Sequence, residues 1–229
     1  MEIILKNRFQ EYKKVYFHEG SITSIQSNNV RDIVSNLAND YSLIIINNYS
    51  LYFLGDNVLS EIEMFNGEID YSFLADIFEK LNLSSDFFNR DLSTLSYTEK
   101  IYLNIIRNLC KNSKIVVFDD VFRFLDYKNQ KRIKSLLDYL KDNSYTIIIT
   151  STDVNVLYKL ADYSVLWYKK VFKFGSCDEV YTNVSLFVNS KISSPILPYI
   201  TYKAMIEKNV KLFYSKDVRD IIKDIYKHV

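Results

Sequence analysis

Glycine is scarce in this chain: 4 of 229 residues, alongside 2 prolines and 2 cysteines. Each shortage excludes something. A loop that wraps an anion in its own amides needs glycine, because other residues resist the left-handed backbone such a loop demands. Between Gly20 and Gly55 there is none. Lysine, the usual countercharge of such a loop, is missing between Lys14 and Lys80. Cys110 and Cys177 lie far apart with no C-x-x-C spacing, which argues against a zinc site or disulfide framework and makes a reducing compartment the default. No charge sign dominates: 29 Lys+Arg face 28 Asp+Glu, a formal net charge of +1, so nucleic acid is not an expected partner. No apolar run approaches the roughly 18 residues of a spanning helix. The start, Met1-Glu-Ile-Ile-Leu-Lys6, lacks the basic-then-apolar layout of a signal peptide. A soluble, cytoplasmic domain is expected, with docking on a membrane partner left open.

What is present is hydrophobic patterning, with 48% hydrophobic residues, enough for one sizeable core. Short apolar runs at 22–26, 42–46, 115–118, 146–149 and 164–167 read as strands. Several are apolar throughout, as in a parallel sheet covered on both faces. Ile133, Leu136, Leu137 and Leu140 follow the i, i+3, i+4, i+7 spacing of an amphipathic helix, and 71–81 reads as another. Strand–helix alternation predicts an α/β domain with right-handed crossovers. After Gly175 the pattern changes. Pro195 and Pro198 open a helical stretch to Lys208, and Val218, Ile221, Ile222 and Ile225 share one face of a final helix. We divide the chain into a main domain, 1–192, with a helical subdomain at about 58–110, and a helical extension, 193–229.

The chemistry-bearing residues begin with Lys114-Ile-Val-Val-Phe-Asp119-Asp120. Two acids at the end of a buried strand cost desolvation energy unless they bind something. In phosphoryl transfer the first acid of such a pair serves magnesium and the second orients the attacking water. Alone, the pair reads more simply as a turn or helix cap. Ser96-x-x-Glu99 before an apolar run reads as a capping box, and a helix start of that kind also favours phosphate.

Context shifts the balance. Leu95-Ser-Tyr-Thr-Glu99 opens a helix bearing Arg107, the strand ends at Asp119-Asp120, Leu125-Asp126 follows, then Thr146-Ile-Ile-Ile-Thr-Ser-Thr-Asp153 and Ala161-Asp162. In order and spacing, residues about 92–180 resemble the second half of an ABC ATPase. That family's pattern is LSGGQ, a helix with Arg, a strand ending Asp-Glu, Leu-Asp, and a strand ending Thr-His-Asp. The resemblance implies a P-loop NTPase-like parallel sheet flanked by helices, with reduced antiparallel hairpins and the small C-terminal helical extension. It implies Asp119 as the magnesium-side acid, Asp120 at the catalytic glutamate position and Thr152 at the switch histidine position. It places Asn47 at the Q-loop glutamine, where a metal would be met if nucleotide binds. It also implies Ser96, Thr98 and Asp126 as nucleotide contacts contributed across a dimer interface.

The departures are as informative. Where GxxxxGK[ST] should follow the strand at 21–25 stands Gln26-Ser-Asn-Asn-Val-Arg31-Asp32-Ile33, and an ordinary helix start at Asn29 is expected. Arg31 is the one local substitute charge. The signature glycines fall on Tyr97 and Thr98. ATP and magnesium are therefore expected only at a site shared with a partner, not on this chain by itself.

Val58-x-x-Glu61-Ile62 after the Q-loop position, and the extension from Pro195, are similar to energy-coupling factor (ECF) importers of vitamins and metal ions. That resemblance implies a degenerate, non-hydrolysing subunit paired with an intact ABC ATPase. It implies docking on a transmembrane coupling protein through a groove near 53–61, peripheral to the cytoplasmic face of the membrane. In that group the extension is associated with dimerisation. Three other readings stand beside it: an active ATPase using Arg31, an interaction module with a sealed apolar cleft, and an unrelated α/β domain.

Overall fold

The computed structural model describes residues 1–227 other than 8, 10, 66, 67 and 112. The chain opens with strands β1 (Glu2–Lys6) and β2 (Tyr12–Tyr16), then β3 (Ser21–Ser27), α1 (Val30–Asp40), β4 (Ile44–Asn47), α2 (Val58–Phe65) and α3 (Tyr71–Leu81). Two short 3-10 turns lead into α4 (Tyr97–Leu109), β5 (Ile115–Asp119), α5 (Tyr127–Asp142), β6 (Thr146–Thr150) and α6 (Val154–Leu160). β7 (Tyr163–Tyr168), β8 (Val171–Ser176), α7 (Cys177–Tyr181), α8 (Val184–Ser190), α9 (Ile196–Lys208) and α10 (Val218–Ile225) complete it. β1 and β2 form an antiparallel pair; the other six strands form one sheet in the order β4-β5-β6-β3-β7-β8. Every neighbour in it is parallel except β7–β8.

The strand runs are apolar throughout because both faces are covered. Within β6, Ile147 and Ile149 enter the core on one face and Ile148 the core on the other. In β5, Val116 and Phe118 oppose Val117 in the same way, as the two-residue strand period requires. One core is closed by α1 (Ile33, Val34, Leu37) and the β1–β2 hairpin. The larger core takes the apolar stripes of α3, α4 and α5, and Ile133, Leu136, Leu137 and Leu140 all reach it. Completely burying one such side chain is worth about 1.5–3 kcal/mol.

Local signals explain the helix limits. Asp70 caps α3 by accepting from the Ser72 and Phe73 amides, and Asn82 ends it in the left-handed conformation. Both arms of the capping box at α4 are formed, Ser96 with Glu99. Gly20, at φ +61, turns the chain into β3, where an added Cβ would meet the Lys141 carbonyl at 3.3 Å. Helices 71–81 and 196–208 and the start of α1 after Asn29 stand where the spacing predicts. β8 runs antiparallel to β7 where no strand was expected. Among the described residues, no helix is long and apolar enough to cross a membrane.

Candidate functional site

Parallel sheets gather ligands at the C-terminal ends of their strands. Here that edge brings Asn47, Asp119 and Thr150 abreast: Asn47 pairs in register with Asp119, and Asp119 with Thr150. A cleft of about 470 Å³ opens above them, lined among others by Arg31, Tyr49, Tyr97, Asp120, Arg123 and Thr152. Its lining mixes charged and polar groups with apolar ones, Val30, Phe124, Val154 and Ile192 among them.

Asp119 is 2% exposed. Its Oδ1 accepts from the Thr150 hydroxyl at 2.5 Å and its Oδ2 from the Tyr49 hydroxyl at 2.7 Å. Both oxygens that could face a cation therefore already hold protein hydroxyls. Burial, and then the bond to Asp119, push the Tyr49 phenol up from 10.0 to about 12. The Arg31 guanidinium sits 5.6 Å from the Tyr49 ring centroid, so the substitute charge lies over this ring.

Asp120 and Thr152 are brought together. Asp120 Oδ1 accepts from the Thr152 amide at 3.0 Å and from its hydroxyl at 3.3 Å, and Oδ2 lies 3.6 Å from Arg123. The Asp120 amide donates to Thr150, and its carbonyl accepts from Asn48 at 2.7 Å. Asp120 and Phe124 both hold left-handed backbone, at φ 53 and 66. For residues with a β-carbon that costs about 1–2 kcal/mol each. Asn47 turns its amide oxygen onto its own loop, accepting from the Ser50 amide at 2.8 Å, and so acts as a turn cap.

The phosphate-cradling position is a tight turn. β3 ends at Ser27, Asn28 and Asn29 follow, and α1 starts at Val30. A two-residue link has no length to encircle a phosphate. At the strand ends, each Asp119 oxygen already accepts one protein hydroxyl, from Thr150 and from Tyr49.

Ser96 and Thr98 lie elsewhere, lining a second cavity of about 470 Å³ with Arg90, Glu99 and Arg132. Asp126 caps α5, its carboxylate accepting from the amide of Asn129 at 2.7 Å, and it is Asn129 that lines the cavity. Partial burial pushes the Glu99 carboxyl up. The Ser96 amide and hydroxyl, with Arg90, outweigh it and hold the group below its usual range. The expected residues thus separate into two sets, one at the strand ends and one at the start of α4. Tyr97 alone crosses over, donating its hydroxyl to the Asn48 carbonyl at 3.2 Å on the cleft side.

Arg107 matters more than spacing revealed. It pairs with Glu61, which is fully buried, and donates to the Tyr52 carbonyl at 2.8 Å, while the Phe53 and Phe65 rings flank it at 4.7 and 5.1 Å. Glu61 Oε2 also accepts from the Leu54 and Gly55 amides at 2.7 and 2.8 Å. A β-carbon on Gly55 would come 2.7 Å from the Glu61 nitrogen. In the stretch 53–61, where a docking groove is expected, Glu61 and Val58 are buried, while Leu54 and the neighbouring Tyr52 and Met64 carry exposed surface. Tyr49 was the other residue that sequence reasoning passed over. The register of β4 against β5 sets it beside Asp119, and a hydroxyl residue two positions past the strand was the available signal.

Sheet order and cleft together define the ATP-binding-cassette fold. The chain superposes on CbiO1 of Clostridium perfringens, part of the ABC transporter complex CbiONQ, with a TM-score of 0.64 and 13% identity over 87% of this chain and 98% of that one. A bacterial ABC transporter cassette solved as a dimer matches at 0.58, with 16% identity over 77% and 99%. In sequence the chain is similar to ATP-binding subunits of ABC transporters, the ECF group among them. The manganese transport ATP-binding protein MntA of Synechocystis is 25% identical over 119 residues, 52% of this chain and 44% of that protein. The ECF transporter ATP-binding protein EcfA of Malacoplasma penetrans is 24% identical over 167 residues, 71% and 58%. EcfA2 of Methanospirillum hungatei is 30% identical over 104 residues, 45% and 26%. The chain therefore spans about a quarter to three fifths of the length of these relatives. No protein-family model matches it.

Proposed function

We propose that this chain is a non-hydrolysing cassette subunit of an ECF-type vitamin or metal-ion importer, pairing with a competent ATPase and docking on a membrane coupling protein. The observation that carries the reading is Asp119, whose two oxygens are taken by Thr150 and Tyr49 where a cation would have to enter. The two-residue turn before α1 supports it, since phosphate binding rests on a loop of free amides. The start of α4 keeps its form: Ser96 and Thr98 line an open cavity that a partner's nucleotide could share, with Asp126 next to its wall at Asn129. The division at 192/193 and the helical subdomain at 58–110 belong to the same proposal. So does coupling-protein docking, now through exposed Tyr52, Leu54 and Met64 above the Glu61–Arg107 pair.

The test is nucleotide binding with magnesium by the isolated chain, and then by the chain mixed with an intact ECF ATPase. The proposal expects no micromolar binding alone. It also expects hydrolysis by the mixture that falls when Ser96 is changed to Ala and is unmoved by Asp119→Asn. Hydrolysis by the chain alone, lost on Asp119→Asn, would instead support the reading of an active enzyme with Arg31 as its phosphate cation.

A further inference from the structure

The near-zero net charge hides a local surplus. Between α5, α6 and the segment leading into α10 runs a groove of about 840 Å³ whose lining carries five cations, Lys131, Lys134, Lys159, Lys216 and Arg219, against one carboxylate, Asp217. Two cations are already matched: Lys134 pairs with Asp138 at 2.9 Å and Arg219 with Asp217 at 2.5 Å. Among the described residues, Lys131, Lys159 and Lys216 have no carboxylate partner. They are held over rings instead. Lys131 and Lys159 stand 4.6 and 5.5 Å from the centroid of the one Tyr127 ring, so two like charges share a single ring. Lys216 lies 5.4 Å from the Tyr158 ring and donates to the Ala161 carbonyl at 2.9 Å.

Like charges gathered without counterions repel one another and weaken the fold unless something of opposite sign meets them. Apolar side chains share the lining: Tyr158 is buried, Leu197 is half-buried, and Ile196 and Val218 are exposed. A small adjoining recess of about 40 Å³ is lined by Phe122, Val156 and Leu160 and rimmed by Lys131, Lys134 and Lys159. An apolar recess inside a basic rim fits a segment with an apolar anchor between carboxylates, the pattern of an amphipathic helix laid in a groove. A bilayer meets such a site poorly: it is planar, whereas this groove runs between α5, α6 and the segment leading into α10. A bare inorganic anion would leave its apolar lining uncovered.

We infer that this seam is a docking groove for an acidic amphipathic segment of a protein partner, with its carboxylates on Lys131, Lys159 and Lys216 and one apolar side chain in the Phe122–Val156–Leu160 recess. The site is separate from the cleft and stands whether or not the chain binds nucleotide. Because residues 216–219 form one wall, an occupant would tie the C-terminal segment to the main domain.

The experiment uses the full chain and a fluorescent helical peptide of alternating Glu and Leu blocks, with binding read by anisotropy. Saturable binding is expected. It should weaken at least tenfold between low salt and about 0.5 M salt, where screening is short-ranged. The Lys131→Glu/Lys159→Glu variant should lose at least tenfold in affinity while keeping the wild-type unfolding midpoint, and a peptide with Leu replaced by Ser should lose a comparable factor. Equal affinity for the charge-reversed chain, or for the Ser peptide, would overturn the proposal. So would binding of tripolyphosphate or of phosphatidylglycerol vesicles that matches the peptide and depends on the same lysines, since that result would assign the groove to a phosphate-bearing ligand.

Discussion

Replacing Tyr49 with Phe removes a single oxygen, and with it one of the two hydroxyl donors to Asp119. A hydrogen bond to a charged group is worth about 1.5–3 kcal/mol where both partners are dry. Asp119 is dry at 2% exposed, but Tyr49 is 55% exposed, so solvent screening reduces the expected loss to about 1 kcal/mol. In a domain of this size that lowers the thermal midpoint at neutral pH by about 2–4 °C. The pH dependence adds an independent mark. The phenol is raised in the folded chain from 10.0 to about 12, so its contribution is complete below pH 10.0 and disappears as pH rises toward about 12. The midpoints of wild type and variant should therefore differ at pH 7 and converge across that alkaline window. The assay is thermal unfolding followed by circular dichroism at a series of pH values, with Asp119→Asn and the double variant completing a cycle. Equal midpoints at neutral pH, or a gap that widens above pH 10.0, would refute the hydroxyl lock at the strand ends.

Arg107→Leu leaves Glu61 charged and buried, and should cost about 3–5 kcal/mol in urea unfolding, while Glu61→Leu/Arg107→Leu should recover much of that loss. Ser96→Ala removes one arm of the α4 capping box and should cost about 1 kcal/mol in the same assay. The Glu99 carboxyl is held low in the fold, so its stabilisation is present above the unfolded-state value and lost as pH falls through the folded one. Glu99→Gln should flatten the acid limb of the stability profile. Leu136→Ala, in the larger core, should cost about 2–5 kcal/mol, read from the denaturant midpoint.

Much of the architecture was legible because it rests on local rules. The i, i+3, i+4, i+7 apolar spacing of α5 and the capping box at Ser96 are written within a few residues, and both stand in the structure. What escaped was pairing over distance. Tyr49 meets Asp119 across 70 residues and Glu61 meets Arg107 across 46, and no local pattern announces either contact. Arg107 was visible as a motif position, but not as the cation that lets Glu61 be buried and hold the loop at 54–55. The helix start after Asn29 was legible for a simpler reason: no glycine interrupts the stretch from Gln26 to Ile33, and α1 begins at Val30. β8 was missed because its residues are all half-buried, which leaves no clean alternation to read.

The most direct measurement is calorimetric titration of the isolated full chain with ATP and magnesium. The proposed function predicts no binding in the micromolar range, because a cation would have to compete with the Thr150 and Tyr49 hydroxyls at Asp119 and only two residues link β3 to α1. Micromolar, magnesium-dependent binding that Asp119→Asn abolishes would contradict it.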